Sequence, residues 1–409
     1  MRVLIVGAGI AGLAAARGLL AAGHAVTVLE RAPAPRDTGC ALTLWSNGTA
    51  VLRDLGVRIE GAGQRIEALD VRSARGRPVM VVDTGSLEAR FGAPVVVIPR
   101  RSLLARLAEG LPEETVRFAA RVTRLHDDGR SVRVQTEDGT TYQADLLIGA
   151  DGVNSQVRTA LFGSAPATVA RPTGAATWQG LIPAPFDLGS RALLFLGRQG
   201  GVGLSPAGDG LLQWLIDLRR RPGTDLDHPH RALPALRARY AAWASPVTDL
   251  LASLSEKDLE LFPHRRHRPP LRWHRGRSAL IGDAAHTMPP ILAQGAGQAL
   301  EDVATLLRAL TAPDVPGALR TYEKTRRPRR PWPPPRPPGA SRPPAPEPPS
   351  RANPPYAPPP PYPPAWRPGR SPCSSEESAT GSEGSTTSLG ANAPGARGRG
   401  LSLKPLEIP

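Results

Sequence analysis

An α/β fold is predicted: a Rossmann-like dinucleotide-binding domain, an antiparallel β-sheet domain inserted into it, and a disordered tail. Three observations predict it. The first thirty residues read as strand, glycine turn, helix and strand. Residues from about 165 to 272 carry the short alternating runs of an antiparallel sheet. Residues 276–302 return to strand, turn, glycine loop and helix.

Arg2 to Val6 is the apolar run of a buried parallel strand, Leu13 to Ala22 a helix, and Ala25 to Leu29 a second strand ending at Glu30. That is a complete βαβ unit of about thirty residues. In the Gly7-Ala-Gly-Ile-Ala-Gly12 turn, Gly7 permits a sharp reversal and Gly9 lets backbone approach a pyrophosphate. Ile10 and Ala11 belong to the turn; the helix that follows supplies free N–H groups and a positive end to the phosphates, and Gly12 lets helix and strand pack closely. Glu30, eighteen residues past Gly12, is placed to accept hydrogen bonds from a ribose diol.

Strand-like, turn-rich sequence follows to Pro99, including Val95 to Ile98, and then a helix over roughly Ser102 to Glu109. Strands at Val116 to Leu125 and Ser131 to Thr136 flank Asp127-Asp-Gly-Arg130 as a hairpin. Ala144 to Ala150 is another buried strand. The antiparallel region supplies Ala175 to Ile182, Ala192 to Leu196, Gly201 to Leu204 and Leu211 to Leu218, with a helix near Pro234 to Trp243. Ser278 to Ile281 is a short strand ending at Gly282-Asp283, and Gln298 to Leu310 has apolar residues at helical spacing.

Composition narrows the function. No apolar run reaches membrane-spanning length and no signal peptide opens the chain, so a cytoplasmic protein is expected. Cys40 and Cys373 support neither a disulfide framework nor a metal site. The net charge is +15, but three lysines leave 48 of the 51 basic residues as scattered arginines. That pattern reads as coding bias rather than a nucleic-acid surface.

The chain changes character at Arg327. From Pro328 to Pro372, 22 of 45 residues are proline, and Ser, Gly, Ala and Thr dominate to Pro409. Such a segment cannot bury enough apolar surface to offset its ordering entropy, so disorder or polyproline II is expected. One reading makes it a ligand for SH3-like grooves. The other makes it a frame-altered product of GC-rich DNA, because Tyr322-Glu-Lys-Thr-Arg-Arg-Pro328 looks like the lead-in to a helix that never arrives.

Residues 276–302 point to one cofactor. A strand, a carboxylate, a loop without bulky side chains at Gly295 to Gly297 and a helix N-terminus suit a flat ring with ribityl hydroxyls and an electron-rich edge. That description fits a flavin.

Taken together, Gly7 to Gly12 with Glu30-Arg31, Ala150-Asp-Gly-Val-Asn-Ser-Gln-Val-Arg158, and Gly282-Asp-Ala-Ala-His286 with its glycine loop resemble the three ordered fingerprints of class A flavoprotein monooxygenases. These are the p-hydroxybenzoate, salicylate and urate hydroxylase-like enzymes, and the resemblance runs from Met1 to about Arg327. It implies an FAD-binding domain of the glutathione-reductase type built from residues 1–70, 100–164 and 273–327. Substrate-domain strands occupy 71–99 and 165–272, and the tail 328–409.

The resemblance further implies that Asp283 holds the ribityl chain and that Gly295, Ala296, Gly297 and Gln298 offer N–H groups to the flavin N1–C2 edge. Asp151, with Ser155 and Arg158, is implied to meet both FAD and the nicotinamide donor, NADH or NADPH. Arg100, at a helix start, and Val122, beside the adenine, are further implied contacts. Gly39 to Asn47 resembles the loop beside the flavin ring; Trp45 there fits either ring contact or core packing. His286 is expected to be structural, and His264, His267 and His274 to be solvated.

The implied activity is hydroxylation of a small aromatic or polyketide-type substrate by O2, through a flavin C4a-hydroperoxide. The substrate wall is expected from Trp178, Phe195, Leu204, Gln213, Trp214 and Pro290. Gly201 and Gln213 fall where urate hydroxylases place an Arg and a Tyr, which points away from urate. Two other readings stand beside this one: a same-fold flavin reductase, and a catalytically impaired FAD-binding product with a proline-rich interaction tail.

Overall fold

The structure, a computed structural model, describes residues 1–35, 39–163, 169–219 and 228–327. The tail, its expected disorder and its SH3-like partner lie outside the described residues. All described residues belong to one compact unit, Met1–Pro344.

Two sheets organise it. The first has six strands in the order His274–Arg275, Ser278–Leu280, Leu146–Gly149, Arg2–Val6, Ala25–Leu29, Val116–Arg117. Its central strands are parallel: Val3 to Val6 pairs Leu146 to Gly149 on one side, and Arg2 to Val6 pairs Ala25 to Leu29 on the other. Strands buried on both faces can be apolar throughout, as Val3, Leu4, Ile5 and Val6 are. The helices Ile10–Ala21 and Gly295–Ala309 pack together over this sheet.

The second sheet has seven strands in the order Glu260–Arg266, Arg171–Pro183, Leu211–Arg219, Gly200–Pro206, Arg191–Gly197, Ala68–Ser73, Pro78–Asp83. All neighbours are antiparallel except Arg191–Gly197 with Ala68–Ser73. One face is covered by the helices Pro229–Tyr240 and Val247–Ser253, through Leu233, Leu236, Tyr240 and Leu250. The other meets a small sheet of Ala41–Leu44, Val95–Pro99 and Gln64–Ile66, through Ala41, Ile66, Val97, Ala192 and Ala207.

Several elements differ from expectation, each for a local reason. The expected strand Val116 to Leu125 breaks at Ala119, which has φ 55°, and restarts at Val122. Ala144 to Ala150 is two strands, Thr141–Ala144 and Leu146–Gly149, belonging to different sheets. The helix Thr84–Phe91, unforeseen, carries its own signals: the Asp83 carboxylate accepts from the Gly85 and Ser86 N–H groups, and Gly92 closes it at φ 66°. The stretch read as the lead-in to a missing helix is itself helical as far as it is described. A helix spans Val315–Arg326, opened by Asp314 accepting from Gly317 N–H, and Tyr322 is fully buried in it.

Candidate functional site

At the first turn the protein explains two of the three glycines. Gly7 has φ +104°, and a Cβ there would sit 2.6 Å from the Ala150 carbonyl oxygen. A Cβ on Gly12 would sit 1.9 Å from the Gly7 carbonyl oxygen. Gly9 is different: its φ is −79° and a Cβ would meet no protein atom within 4 Å. The open side of Gly9 is therefore a place where backbone is presented outward, next to Ile10 and Ala11 in the first helical turn. Glu30 is fixed beside it, accepting from Ala8 N–H at 2.8 Å and from Ala32 N–H at 2.9 Å. Ala120 N–H donates to the Glu30 carbonyl at 2.9 Å, which brings Val122 to the same edge; Arg31 is exposed there.

The third motif lies against this turn. Gly282, at φ +58°, sits where a Cβ would be 3.2 Å from Ala299 Cβ and 3.4 Å from Ala11 Cβ, so it joins the two helices. Asp283 follows with an exposed side chain, although protein surrounds the recess it faces. That surrounding mass raises its carboxyl above the usual range, opposed by His286, Arg100, His267 and Arg158. The helix Gly295–Ala309 begins at the glycines themselves, three residues earlier than the apolar spacing predicts. A Cβ on Gly295 would meet nothing within 4 Å. Gly295, Ala296 and Gly297 thus form a helix N-terminus bare of large side chains, whose first N–H groups have no partner within the helix, whereas the Gln298 N–H, expected among them, already donates to the Gln294 carbonyl at 2.8 Å.

Behind that helix is a buried charge network that the sequence does not announce. Asp302 accepts from Gly282 N–H at 2.8 Å, from His286 Nε2 at 2.5 Å and from Arg326 Nε at 2.6 Å. Arg326 also donates to Glu301 at 2.6 Å and to the Gln298 carbonyl at 3.1 Å. Burial works against a charged His286 ring, but Asp302 outweighs it and holds the imidazole above its ordinary value. Burial likewise opposes ionised Asp302, yet His286 and Arg326 hold it below the usual carboxylate range. His286 therefore makes the structural hydrogen bond expected of it.

In the middle motif, Asp151 caps the helix Gln156–Phe162. Its carboxylate accepts from Ser155 Oγ at 2.5 Å, Gln156 N–H at 2.7 Å and Val157 N–H at 3.1 Å. Burial raises its carboxyl and these donors oppose the rise. Arg158, buried, donates to the Ala284 carbonyl at 2.9 Å and the Val153 carbonyl at 2.7 Å, locking the middle motif to the third. Arg100 opens the helix Arg100–Ala108; its N–H donates to the Cys40 carbonyl at 3.1 Å, and its charge is felt at Asp283.

The substrate wall is corrected. Trp178, Phe195, Leu204 and Trp214 are at most 1% exposed and pack under the helices Pro229–Tyr240 and Val247–Ser253, away from the recess. Alternation along a strand is strict, so the residues on the recess side are their neighbours, among them Gln179, Leu215 and Gln213. Gln213 does reach the loop, accepting from Ala41 N–H at 2.5 Å. Trp45 donates Nε1–H to the Leu292 carbonyl at 3.2 Å, and Pro290 is exposed on the same loop.

The three histidines expected at the surface are also corrected. His264 and His267 are 2% and 5% exposed. His264 meets Thr177 Oγ1 at 2.7 Å on an edge strand that its Pro263 disguises in sequence, His267 meets the Asp283 carbonyl at 3.2 Å, and His274 meets Glu323 at 2.7 Å.

These residues fit FAD. The open faces at Gly9 and Gly295 are side-chain-free for no reason internal to the protein, and they flank Glu30 and Asp283. Among the described residues no group of three or more side chains could hold a metal, and no helix is long and apolar enough to cross a membrane. A family model described as an FAD binding domain matches residues 1–331. The chain is 32% identical over 333 residues to aurachin C monooxygenase/isomerase of Stigmatella aurantiaca, covering 80% of this chain and 85% of that protein. It is 36% identical over 344 residues to 3-amino-4-hydroxybenzoate 2-monooxygenase PtnB3 of Streptomyces platensis, covering 80% and 84%. HpxO of Klebsiella pneumoniae, solved with FAD and uric acid, superposes with a TM-score of 0.74 at 30% identity, covering 80% of this chain and 84% of that one. With a glycine turn, the Glu30 carboxylate and a bare helix N-terminus around one recess, the chain belongs to the FAD-binding family of aromatic-hydroxylase-type flavin monooxygenases.

Proposed function

We propose that this enzyme uses NAD(P)H and O2 to hydroxylate a small aromatic or polyketide-type substrate bound between the seven-stranded sheet and the FAD layer. The observation that carries the reading is the side-chain-free helix N-terminus at Gly295 beside the open Gly9 turn. Bound flavin supplies electron transfer from the donor and activation of O2. The chain does the rest. The Gly7–Gly12 turn and its helix receive the pyrophosphate, Glu30 the adenosine ribose and Asp283 the ribityl chain. Gly295 to Gly297 direct N–H groups at the anionic flavin edge. Asp151 and Arg158 hold the loop on which the donor docks.

The recess face favours a ring system of low charge. Leu194 and Leu215 are half-buried on it, and Gly201 carries no side chain at all. The curated relatives act on an aminohydroxybenzoate and on aurachin, so the substrate of this chain belongs among phenolic or fused aromatic compounds. The test is O2 uptake and NAD(P)H oxidation by the yellow holoprotein against a panel of phenols, with flavin difference spectra. An aromatic compound that stimulates both supports the reading. Reduction of an alkene without O2 uptake identifies a reductase instead.

A further inference from the structure

We propose that Asp217, held by Thr177 and His264 on the recess face of the seven-stranded sheet, is the contact that selects the substrate. The enzyme then takes an aromatic ring bearing a phenolic O–H or aryl N–H donor and refuses a ring carboxylate. This rests on the flavin monooxygenase reading above and narrows its substrate class.

Strand parity places the cluster. Thr177 stands directly opposite Asp217 on one side and Phe262 on the other, and Gly201 stands opposite Asp217 in turn. Residues directly opposite share a face, as do residues two apart on one strand, so His264 joins them. It is the face of Gln179, Gln213 and Leu215, not the one under the helices Pro229–Tyr240 and Val247–Ser253. Gln213 ties that face to Ala41 at one end of the recess. At the other end Arg265 donates to Asn154 Oδ1 at 3.4 Å, and His267 meets the Asp283 carbonyl at 3.2 Å. Thr177, Asp217 and His264 lie on the stretch of sheet between those contacts.

Hydrogen-bond valence fixes the direction of the cluster. A carboxylate only accepts, so the Thr177 hydroxyl donates to Asp217 Oδ1. With its one proton so placed, Thr177 Oγ1 accepts from His264 Nε2, 2.7 Å away. The imidazole proton is therefore on Nε2, and Nδ1 is a lone-pair acceptor. Burial disfavours the charged ring, against the opposing pull of Asp217. The His264 ring is buried, and its Nδ1 has no partner among the described residues. Asp217 is more open: its side chain is 32% exposed, and its contacts with Thr177 and His264 both use Oδ1. Each polar atom this cluster leaves unpaired is an acceptor.

The space beside it suits a ring. Gly201 has no side chain, and a Cβ there would come no closer than 3.5 Å to a neighbour, Leu196 being the nearest. Leu196 is exposed, and Leu194 and Leu215 are half-buried on the same face. A flat ring on these leucines, over Gly201, turns one edge to Asp217. A donor on that edge makes a charge-assisted hydrogen bond. A carboxylate there meets like charge, and a second carboxylate, Glu260, stands on this face opposite Gln179. Along the Asp217 strand the next side chain on this face, Arg219, is at the exposed strand end. Selection thus combines an attraction for donors with a repulsion of anions.

Flavin difference spectra of the oxidised holoprotein with 2-naphthol, 2-methoxynaphthalene and 2-naphthoate test this without turnover. The ether keeps the ring and loses the donor. The naphthol should bind at least about tenfold more tightly than the ether, as expected for a hydrogen bond to a charged group. The naphthoate should bind more weakly than the naphthol. Asp217→Asn should lower naphthol affinity about tenfold, leave the ether unchanged and raise naphthoate affinity. Thr177→Val keeps the carboxylate but not its hold, so it should reduce the naphthol-over-ether ratio part of the way. Lost stability alone does not move that ratio, and melting temperature and FAD content report folding separately. Equal binding of naphthol and ether by the wild type, tighter binding of naphthoate, or no flavin perturbation by the naphthol overturns the proposal. So does an undiminished naphthol preference in Asp217→Asn. A holoprotein that shows the preference yet takes up no O2 with NAD(P)H and any phenol keeps this contact and overturns the monooxygenase reading instead.

Discussion

Gly9 and Gly12 separate ligand binding from folding at single residues. A Cβ at Gly9 meets no protein atom within 4 Å, so Gly9→Ala should leave the melting temperature of the apoprotein nearly unchanged while weakening FAD binding. Gly12→Ala drives a methyl into the Gly7 carbonyl and should cost roughly 1–3 kcal/mol, as overpacking does. Melting curves and flavin fluorescence titrations of both variants check the contrast. The His286–Asp302 pair makes a pH prediction of definite sign. His286 is held above its ordinary value of about 6.5, so the stability from its charge is complete below that pH and fades as pH rises through the elevated value. Asp302 is held below its ordinary value of about 3.9, so its contribution is complete above that and is lost as pH falls through the depressed value. The gap in melting temperature between wild type and His286→Asn should therefore narrow from pH 6 to about 9. A gap that widens over that range contradicts the assignment.

At the scale of elements, the last described helix, Val315–Arg326, braces the helix Gly295–Ala309 through the Arg326 side chain. Arg326 touches Asp302, Glu301 and Gln298 and is 5% exposed. Arg326→Met takes the guanidinium partner from Glu301 and leaves buried Asp302 with only His286 and the Gly282 N–H, and should cost about 3 kcal/mol, the lower end for breaking a buried ion pair from one side. Urea unfolding measures it. The sequence makes the nucleotide-binding elements legible, because glycine spacing and strand-end carboxylates are local signals. It does not make the sheet faces legible. Trp178, Phe195, Leu204 and Trp214 have the size and polarity of either a pocket wall or a core, and one residue of parity decides between them. The helices covering them, Pro229–Tyr240 and Val247–Ser253, are weakly written: one contains Pro234 and the other is seven residues long. Phe195→Ala should accordingly cost about 3–5 kcal/mol of stability, without altering the flavin difference spectrum given by an aromatic ligand. Leu215→Ala should change that spectrum at a smaller cost in stability.

For the molecule as a whole, the described residues, which end where the composition changes, already supply a connected set of interactions around the recess. The core around the six-stranded sheet runs from Val3 to Tyr322, and Tyr322 Oη–H donates to the Leu280 carbonyl at 2.8 Å. Trp273 lies between His286 and Tyr322, with ring centroids 5.0 and 6.2 Å away, so the third motif and the final helix share one aromatic contact. Glu323 ties the same helix to Trp273 N–H at 2.8 Å and to His274 at 2.7 Å. Among the described residues, the hydrogen bonds that position Glu30, Asp283 and the Gly295 helix are made by residues up to Arg326. Deleting residues 328–409 should therefore leave the melting temperature within the few degrees expected of a change below about 1 kcal/mol, and FAD affinity within about threefold. Differential scanning fluorimetry and flavin release on dilution measure both. If the truncated chain instead loses its yellow colour, residues beyond 327 brace the site, and the reading of the full chain as an impaired product would rest on what that segment supplies.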